Sequence, residues 1–151
     1  MSDGSKSQSD AGNELCVANR EFAMNQIQNL LYDALIKTQH VESAALIKIR
    51  ETIALTSPPG FQLQPQQVRV IIDAFKSTPV IRREGFQFRD KIYKCVRADK
   101  NSIYAKCDND GLIMVKTKSN ILLTTYRDGM YPSVCAEATE KLGCYFREKE
   151  I

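Results

Sequence analysis

The side chains best suited to nucleophilic or metal chemistry are few in this sequence. They are His40 and five cysteines, Cys16, Cys95, Cys107, Cys135 and Cys144. No two cysteines stand in a CxxC pair, and a structural zinc site needs four closely arranged thiolates or imidazoles. A single histidine also leaves any serine or cysteine nucleophile without a convincing base. No paired-carboxylate motif replaces it. The expectation is therefore no catalytic residue, no metal and no cofactor, with the cysteines as free thiols.

Cations offer a different chemistry. Between residues 76 and 106 stand Lys76, Arg82, Arg83, Arg89, Lys91, Lys94, Arg97, Lys100 and Lys106, opposed only by Glu84, Asp90 and Asp99. The whole chain carries a net charge of only +3, because residues 1–23 hold Asp3, Asp10, Glu14 and Glu21 against Lys6 and Arg20. A local excess of this size gathers anionic partners: acidic phospholipid, nucleic acid or an acidic protein surface. Tyr93 and Tyr104 interleave with the basic residues, but no nucleic-acid-binding motif surrounds them, and no nucleic acid is expected as partner.

The elements that must position these residues follow from periodicity. The chain has 151 residues, 43% of them hydrophobic and 26% charged, which suits one globular domain. Residues 1–23 are polar, read as a flexible extension, and show no signal-peptide core; no apolar run is long enough to span a bilayer. Ile27, Leu30, Leu31, Ala34 and Leu35 lie on one face of a helix over about 25–37. Two apolar runs, 44–49 and 52–56, read as a hairpin turning at Arg50 and Glu51. Pro65 opens a second helix with Val68, Ile71, Ile72 and Phe75 on its apolar side, and Pro79 lies beyond its end. Five strands follow between residues 85 and 126, with connections too short for crossover helices, so the sheet is antiparallel there. Pro132 begins the last helix, whose stripe is Val134, Ala138, Leu142, Tyr145 and Phe146, with Gly143 a mild weakness within it. The class is α/β with antiparallel strands (α+β).

This order, with several strings, resembles the profilin family. The strings are Ser43 to Ile47, Ser57-Pro58 with Gly60-Phe61, Gly85-Phe86, Tyr93 to Arg97, Lys116-Thr117, and Glu140 to Gly143 followed by Tyr145. His40 to Ile49, Arg82 to Gly85, Cys95 to Asp99 and Gly129 to Ser133 are worded most like the testis-type fourth branch of that family. Met24 falls where that branch starts, making 24–151 the profilin-like domain. The resemblance implies an antiparallel sheet with the N- and C-terminal helices on one face and short central helices on the other. It also implies a non-enzymatic binding protein, cytoplasmic and cytoskeleton-associated, acting as a monomer.

Three inherited activities are weighed by residue. A polyproline II ligand is received by exposed aromatic rings. By the matching strings, those positions fall at Gln28, Leu31, Ile53, Lys141 and Arg147, and the chain contains no Trp. The poly-proline site is therefore expected to be degenerate, with Tyr32 the ring left to bind weakly and Tyr145 and Phe146 packing the last helix. The actin-facing positions that match are Arg97, Lys116, Arg127, Tyr131, Cys135 and Glu137, but the loop from Arg127 to Pro132 departs from the family's Gly- and His-rich form. Lipid binding is assigned to Arg82, Arg83, Arg89, Lys91, Lys94, Arg97 and Lys106. Strand alternation sends Lys94 and Arg97 to opposite faces. The expectation is two clusters, one of Arg82 and Arg83 with the Arg89–Lys91 turn, the other of Arg97, Lys106 and Lys116. The reading is an atypical profilin that binds acidic phospholipids (phosphatidic acid, phosphoinositides) through peripheral membrane contact, has weak or absent actin-monomer and poly-proline binding, and acts in sperm development. Its rivals are a conventional profilin regulating actin polymerisation and a small scaffold subunit of a larger complex.

Overall fold

A computed structural model describes residues 25–149; the expected extension over 1–23, and Met24 with it, lie outside them. Helix α1 covers 25–34 and runs into a 3₁₀ turn, Ile36–Thr38, that ends where Gln39 adopts a positive φ. Strands β1 (Ser43–Lys48) and β2 (Ile53–Ser57) form the expected hairpin. Helix α2 (Pro65–Ala74) opens on its proline, which has no N–H to leave unpaired in the first turn. It buries Val68, Ile71 and Ala74.

Pro79 lies beyond the end of α2, as expected, and it also stands in the first turn of a further helix, α3 (Thr78–Glu84), the second of the short central helices the resemblance implies, which periodicity did not locate. The helix stops at Gly85, whose φ is 81°. A Cβ there would stand 2.6 Å from the Tyr93 carbonyl oxygen, so only glycine lets the chain turn so close to the sheet.

The remaining strands are β3 (Phe86–Phe88), β4 (Lys91–Ala98), β5 (Ser102–Cys107), β6 (Asp110–Lys116) and β7 (Asn120–Tyr126), and helix α4 spans Pro132–Lys149. The seven strands pair antiparallel throughout in the order β2-β1-β7-β6-β5-β4-β3. Because successive side chains point to opposite faces, the sheet builds two cores. On one face Ala45, Ile47, Ile103, Leu112, Met114 and Leu123 meet α2 and α3 through Val68, Ile71 and Ile81. On the other, Ala44, Leu46, Ile113, Val115 and Leu122 meet Leu31 of α1, Leu35 just past its end, and Leu142 and Phe146 of α4.

The buried row of α4 is Cys135, Thr139, Leu142, Gly143 and Phe146, displaced from the apolar stripe expected through Val134 and Ala138. A threonine is admitted because its hydroxyl is satisfied. Thr139 Oγ1 donates to the Cys135 carbonyl at 2.7 Å and lies 2.8 Å from Thr124 Oγ1. Tyr145 correspondingly turns outward and is 47% exposed.

Candidate functional site

Strand β4 lies near one edge of the sheet, beyond the β6 and β7 strands on which α4 packs. Its pairing with β5 runs Lys94 to Lys106 and Cys95 to Ala105, then Arg97 to Tyr104 and Ala98 to Ile103. Val96 is thus an extra residue, a β-bulge. The bulge reverses the parity of everything after it. Lys106 and Tyr104 share a face of β5, so their partners Lys94 and Arg97 share that face too. The alternation expected to separate these two cations is cancelled by one inserted residue.

Lys94 and Lys106 stand directly opposite each other, both exposed, and neither forms an ion pair among the described residues. Arg97 is held beside them. Its Nη2 lies 3.1 Å from the Asp99 carboxylate, and its guanidinium sits 5.3 Å from the Tyr104 ring centroid. Asp99 is fixed by the turn into β5. The N–H groups of Asn101 and Ser102 donate to its Oδ1 at 2.9 and 2.8 Å, and they, with Arg97, hold its carboxyl below the usual carboxylate range. Burial and a hydrogen bond to the Glu140 carboxylate push the Tyr104 phenol well above its ordinary range; Ser102 Oγ donates to the same carboxylate at 2.8 Å. This network ties α4 to β5 beneath the cations. Ile92, on the same face as Lys94, is 65% exposed, and Val96 is 66% exposed. The result is a basic surface with apolar side chains in it.

The other expected lipid residues do not join this face. Arg82 lies on α3, on the opposite side of the sheet, where its Nε donates to the Ala98 carbonyl at 3.0 Å, and Arg83 is exposed on the same helix. Arg89 clamps two turns together. Its Nη2 donates to the Gln62 carbonyl at 2.8 Å, and the guanidinium lies 4.8 Å from the Phe61 ring and 5.5 Å from that of Phe88. Lys91 is paired with Asp110 at 3.0 Å. Arg82 contacts one end of β4, whereas the Arg89–Lys91 turn lies at the other, roughly 20 Å away at ~3.3 Å per residue. The cluster expected to join them does not form. Lys116 pairs with Ile121, which belongs to the α2–α3 core, so Lys116 is not on the face of Arg97 and Lys106.

The expected actin-facing positions are scattered. Arg127 reaches Glu42 at 3.8 Å. Tyr131 stacks on His40 at 4.9 Å and donates its backbone N–H to Nδ1 at 2.9 Å. Glu137 lies on the rim between α1 and α4. Cys135 must be withdrawn as a contact residue: it is wholly buried, with its sulfur 3.4 Å from Thr124 Oγ1. Among the poly-proline positions Leu31 must be withdrawn likewise, since it is a core residue with no exposed surface. Gln28 Nε2 donates to the Thr56 carbonyl at 3.3 Å, Arg147 Nη2 donates to the Lys116 carbonyl at 2.8 Å, and Ile53 and Lys141 are exposed.

A feature the sequence pattern did not bring out lies between the terminal helices. A groove of about 480 Å³ is lined by Leu30, Ala34, Val134, Ala138, Leu142 and Tyr145. Past Tyr145, a second hollow of about 660 Å³ opens toward the β1–β2 hairpin. Among the described residues no cluster of His, Cys, Asp and Glu could hold a metal, and no helix is long and apolar enough to cross a membrane.

Comparison with known proteins agrees with this architecture. The family model for profilin matches residues 25–151. Profilin-4 of Bos taurus is 54% identical over 127 residues, an alignment covering 83% of this chain and 98% of that protein. Among solved structures, profilin IA of Acanthamoeba castellanii superposes with a TM-score of 0.74 at 32% identity, over 82% of this chain and 98% of that one. Schizosaccharomyces pombe profilin gives 0.75 at 28% identity, over 82% and 98%.

Proposed function

Because the chain belongs to the profilin family, we propose that it is a non-enzymatic profilin that binds anionic phospholipid through the β4–β5 face, with weak or absent binding to monomeric actin and poly-proline. The observation that carries the reading is the opposed pair Lys94 and Lys106. Like charges at directly opposite positions work against strand pairing, by about 0.2–1 kcal/mol. The same two ammonium groups, with Arg97, favour an anionic membrane surface by roughly 1 kcal/mol each. Exposed Ile92 and Val96 add apolar contact at the bilayer boundary.

The weak-ligand part of the reading rests on side chains. Gln28, Ile53, Lys141 and Arg147 present no aromatic ring where a proline-rich ligand would need one, and Leu31 and Cys135 are buried. Tyr32 and Tyr145 are the rings exposed on the terminal helices. The role in sperm development implied by the testis-type wording, and a cytoplasmic location beside the cytoskeleton, belong to the same proposal.

The test is parallel co-sedimentation of the full chain with phosphatidylcholine vesicles, with and without phosphatidic acid, alongside poly-proline resin and pyrene-actin nucleation. Binding should require the phosphatidic acid. The double change Lys94→Gln with Lys106→Gln should weaken it about 30-fold, from ~2 kcal/mol of lost attraction. Vesicle binding indifferent to these changes, or strong suppression of actin nucleation, would overturn the proposal.

A further inference from the structure

We propose that one end of the sheet, on its α2–α3 side, holds a binding site for a neutral polyhydroxyl compound of monosaccharide size. Here β1 begins, β7 ends and β4 begins, and between them lies a cavity of about 340 Å³ with the rings of Phe61 and Phe88 in its wall. That is at the lower end of the ~300–1,000 Å³ usual for small-molecule sites and has room for one hydroxylated ring. Tyr93, Ser43 and Thr125 line it, each more than nine-tenths buried.

Buried hydroxyls are ordinarily paired, and these are paired incompletely. Tyr93 makes no side-chain hydrogen bond among the described residues. No fully buried side-chain oxygen there lacks a partner, so the Tyr93 hydroxyl opens on the cavity. Burial pushes its phenol up, which keeps it a donor at neutral pH. Ser43 Oγ and Thr125 Oγ1, opposite each other on β1 and β7, share one hydrogen bond. That bond uses one hydroxyl proton and leaves the other without an acceptor in the protein. The charges around the cavity, by contrast, are already answered. Lys91 pairs with Asp110 at 3.0 Å, Glu42 with Arg127 at 3.8 Å, and Arg89 stands beside Asp90 in the chain. An entering ion would lose its water without meeting an unpaired countercharge. A neutral ligand with several hydroxyls accepts from Tyr93 and from the Ser43–Thr125 pair, donates to their lone pairs, and lays its C–H groups against Phe61 and Phe88.

The test titrates the ¹⁵N-labelled full chain with D-glucose, D-mannose, D-galactose, sorbitol and glycerol, and with glucosamine and glucuronate as charged counterparts. At least one hexose should shift the Tyr93 and Thr125 amides saturably, with a Kd on the order of mM. Tyr93→Phe keeps the edge-on contact with Phe88, 6.2 Å between ring centroids, so Tm should hold while binding weakens about fivefold. Ser43→Ala with Thr125→Val removes both hydroxyls together, strands neither, and should weaken binding by a similar factor. The charged counterparts should bind less tightly than the best neutral compound. No saturable shift with any neutral compound up to about 100 mM would overturn the inference and leave the cavity to water alone. So would binding unchanged in Tyr93→Phe, or tighter binding of a charged counterpart. Lys94 and Lys106 lie on the other face of the sheet, so no outcome bears on vesicle binding.

Discussion

Replacing Lys106 with glutamate should strengthen the fold and weaken membrane binding at once. In the wild-type chain Lys106 faces Lys94 across an antiparallel pair, with Arg97 on the same face. Cross-strand charge pairs contribute about 0.2–1 kcal/mol, and like-charged pairs subtract a similar amount. Lys106→Glu turns repulsion into attraction, so stability should rise by about 0.5–1.5 kcal/mol. For a domain of this size each kcal/mol moves Tm by about 4 °C, giving an increase of about 2–6 °C by calorimetry. The same change removes one positive charge from the membrane-facing surface and adds a negative one. At ~1 kcal/mol per charge, partitioning onto phosphatidic-acid vesicles should fall about 30-fold. Lys106→Gln separates the terms, with a smaller gain in Tm and a loss of about fivefold in binding. At about 1 M salt, where the screening length is ~3 Å, both effects should shrink together. A fall in Tm would show that the register is wrong or that the lysine stem packs more than its charge repels. Unchanged vesicle binding would show that this face does not meet the lipid.

Two further predictions concern stability. Gly143→Ala places a methyl 2.7 Å from Val115 Cγ1, a buried β-branched side chain with little room to rotate, so the crowding should outweigh the roughly 1 kcal/mol helix-propensity gain. Chemical denaturation should show a net loss of about 1–2 kcal/mol, partly recovered when Val115→Ala is added; a more stable single variant would refute the close packing. Asp99, held ionised by the Asn101 and Ser102 N–H groups and by Arg97, has a folded-state pKa below its unfolded one. Its contribution is present in full above the unfolded value and lost as pH falls through the folded one. A Tm-versus-pH profile should therefore drop more steeply on its acid limb for the wild-type chain than for Asp99→Asn, and parallel limbs would show that Asp99 does not titrate with folding.

Much of the fold is legible in local chemistry. Pro65 and Pro132 mark their helix starts because a residue without an N–H fits where no acceptor exists. Ile27, Leu30, Leu31 and Leu35 announce the inner side of α1 by spacing alone, which is also why Leu31 could not serve on a ligand surface. Where the reading erred, tertiary context outweighed a local signal. Pro79 lies beyond α2 as its position suggests, but spacing alone did not show that it also opens a separate short helix seated on β4. The stripe expected through Val134 and Ala138 is displaced onto Cys135 and Thr139, because Thr124 and the Cys135 carbonyl satisfy the threonine hydroxyl in the core. Gly143 looks like a defect in α4 and marks its close approach to Val115.

By itself, the sequence determined the family, the two-faced antiparallel sheet between helices, the poverty of nucleophile and metal chemistry, and the surplus of cations between residues 76 and 106. These depend on composition and periodicity, which a linear string carries in full. Only the tertiary structure decided which cations act together. That grouping turns on Val96, one residue inserted between two pairings, with no residue type that betrays it. Because strand faces alternate with a period of two, a single insertion carries Arg97 onto the face of Lys94, while α3 leaves Arg82 and Arg83 on the other side of the sheet.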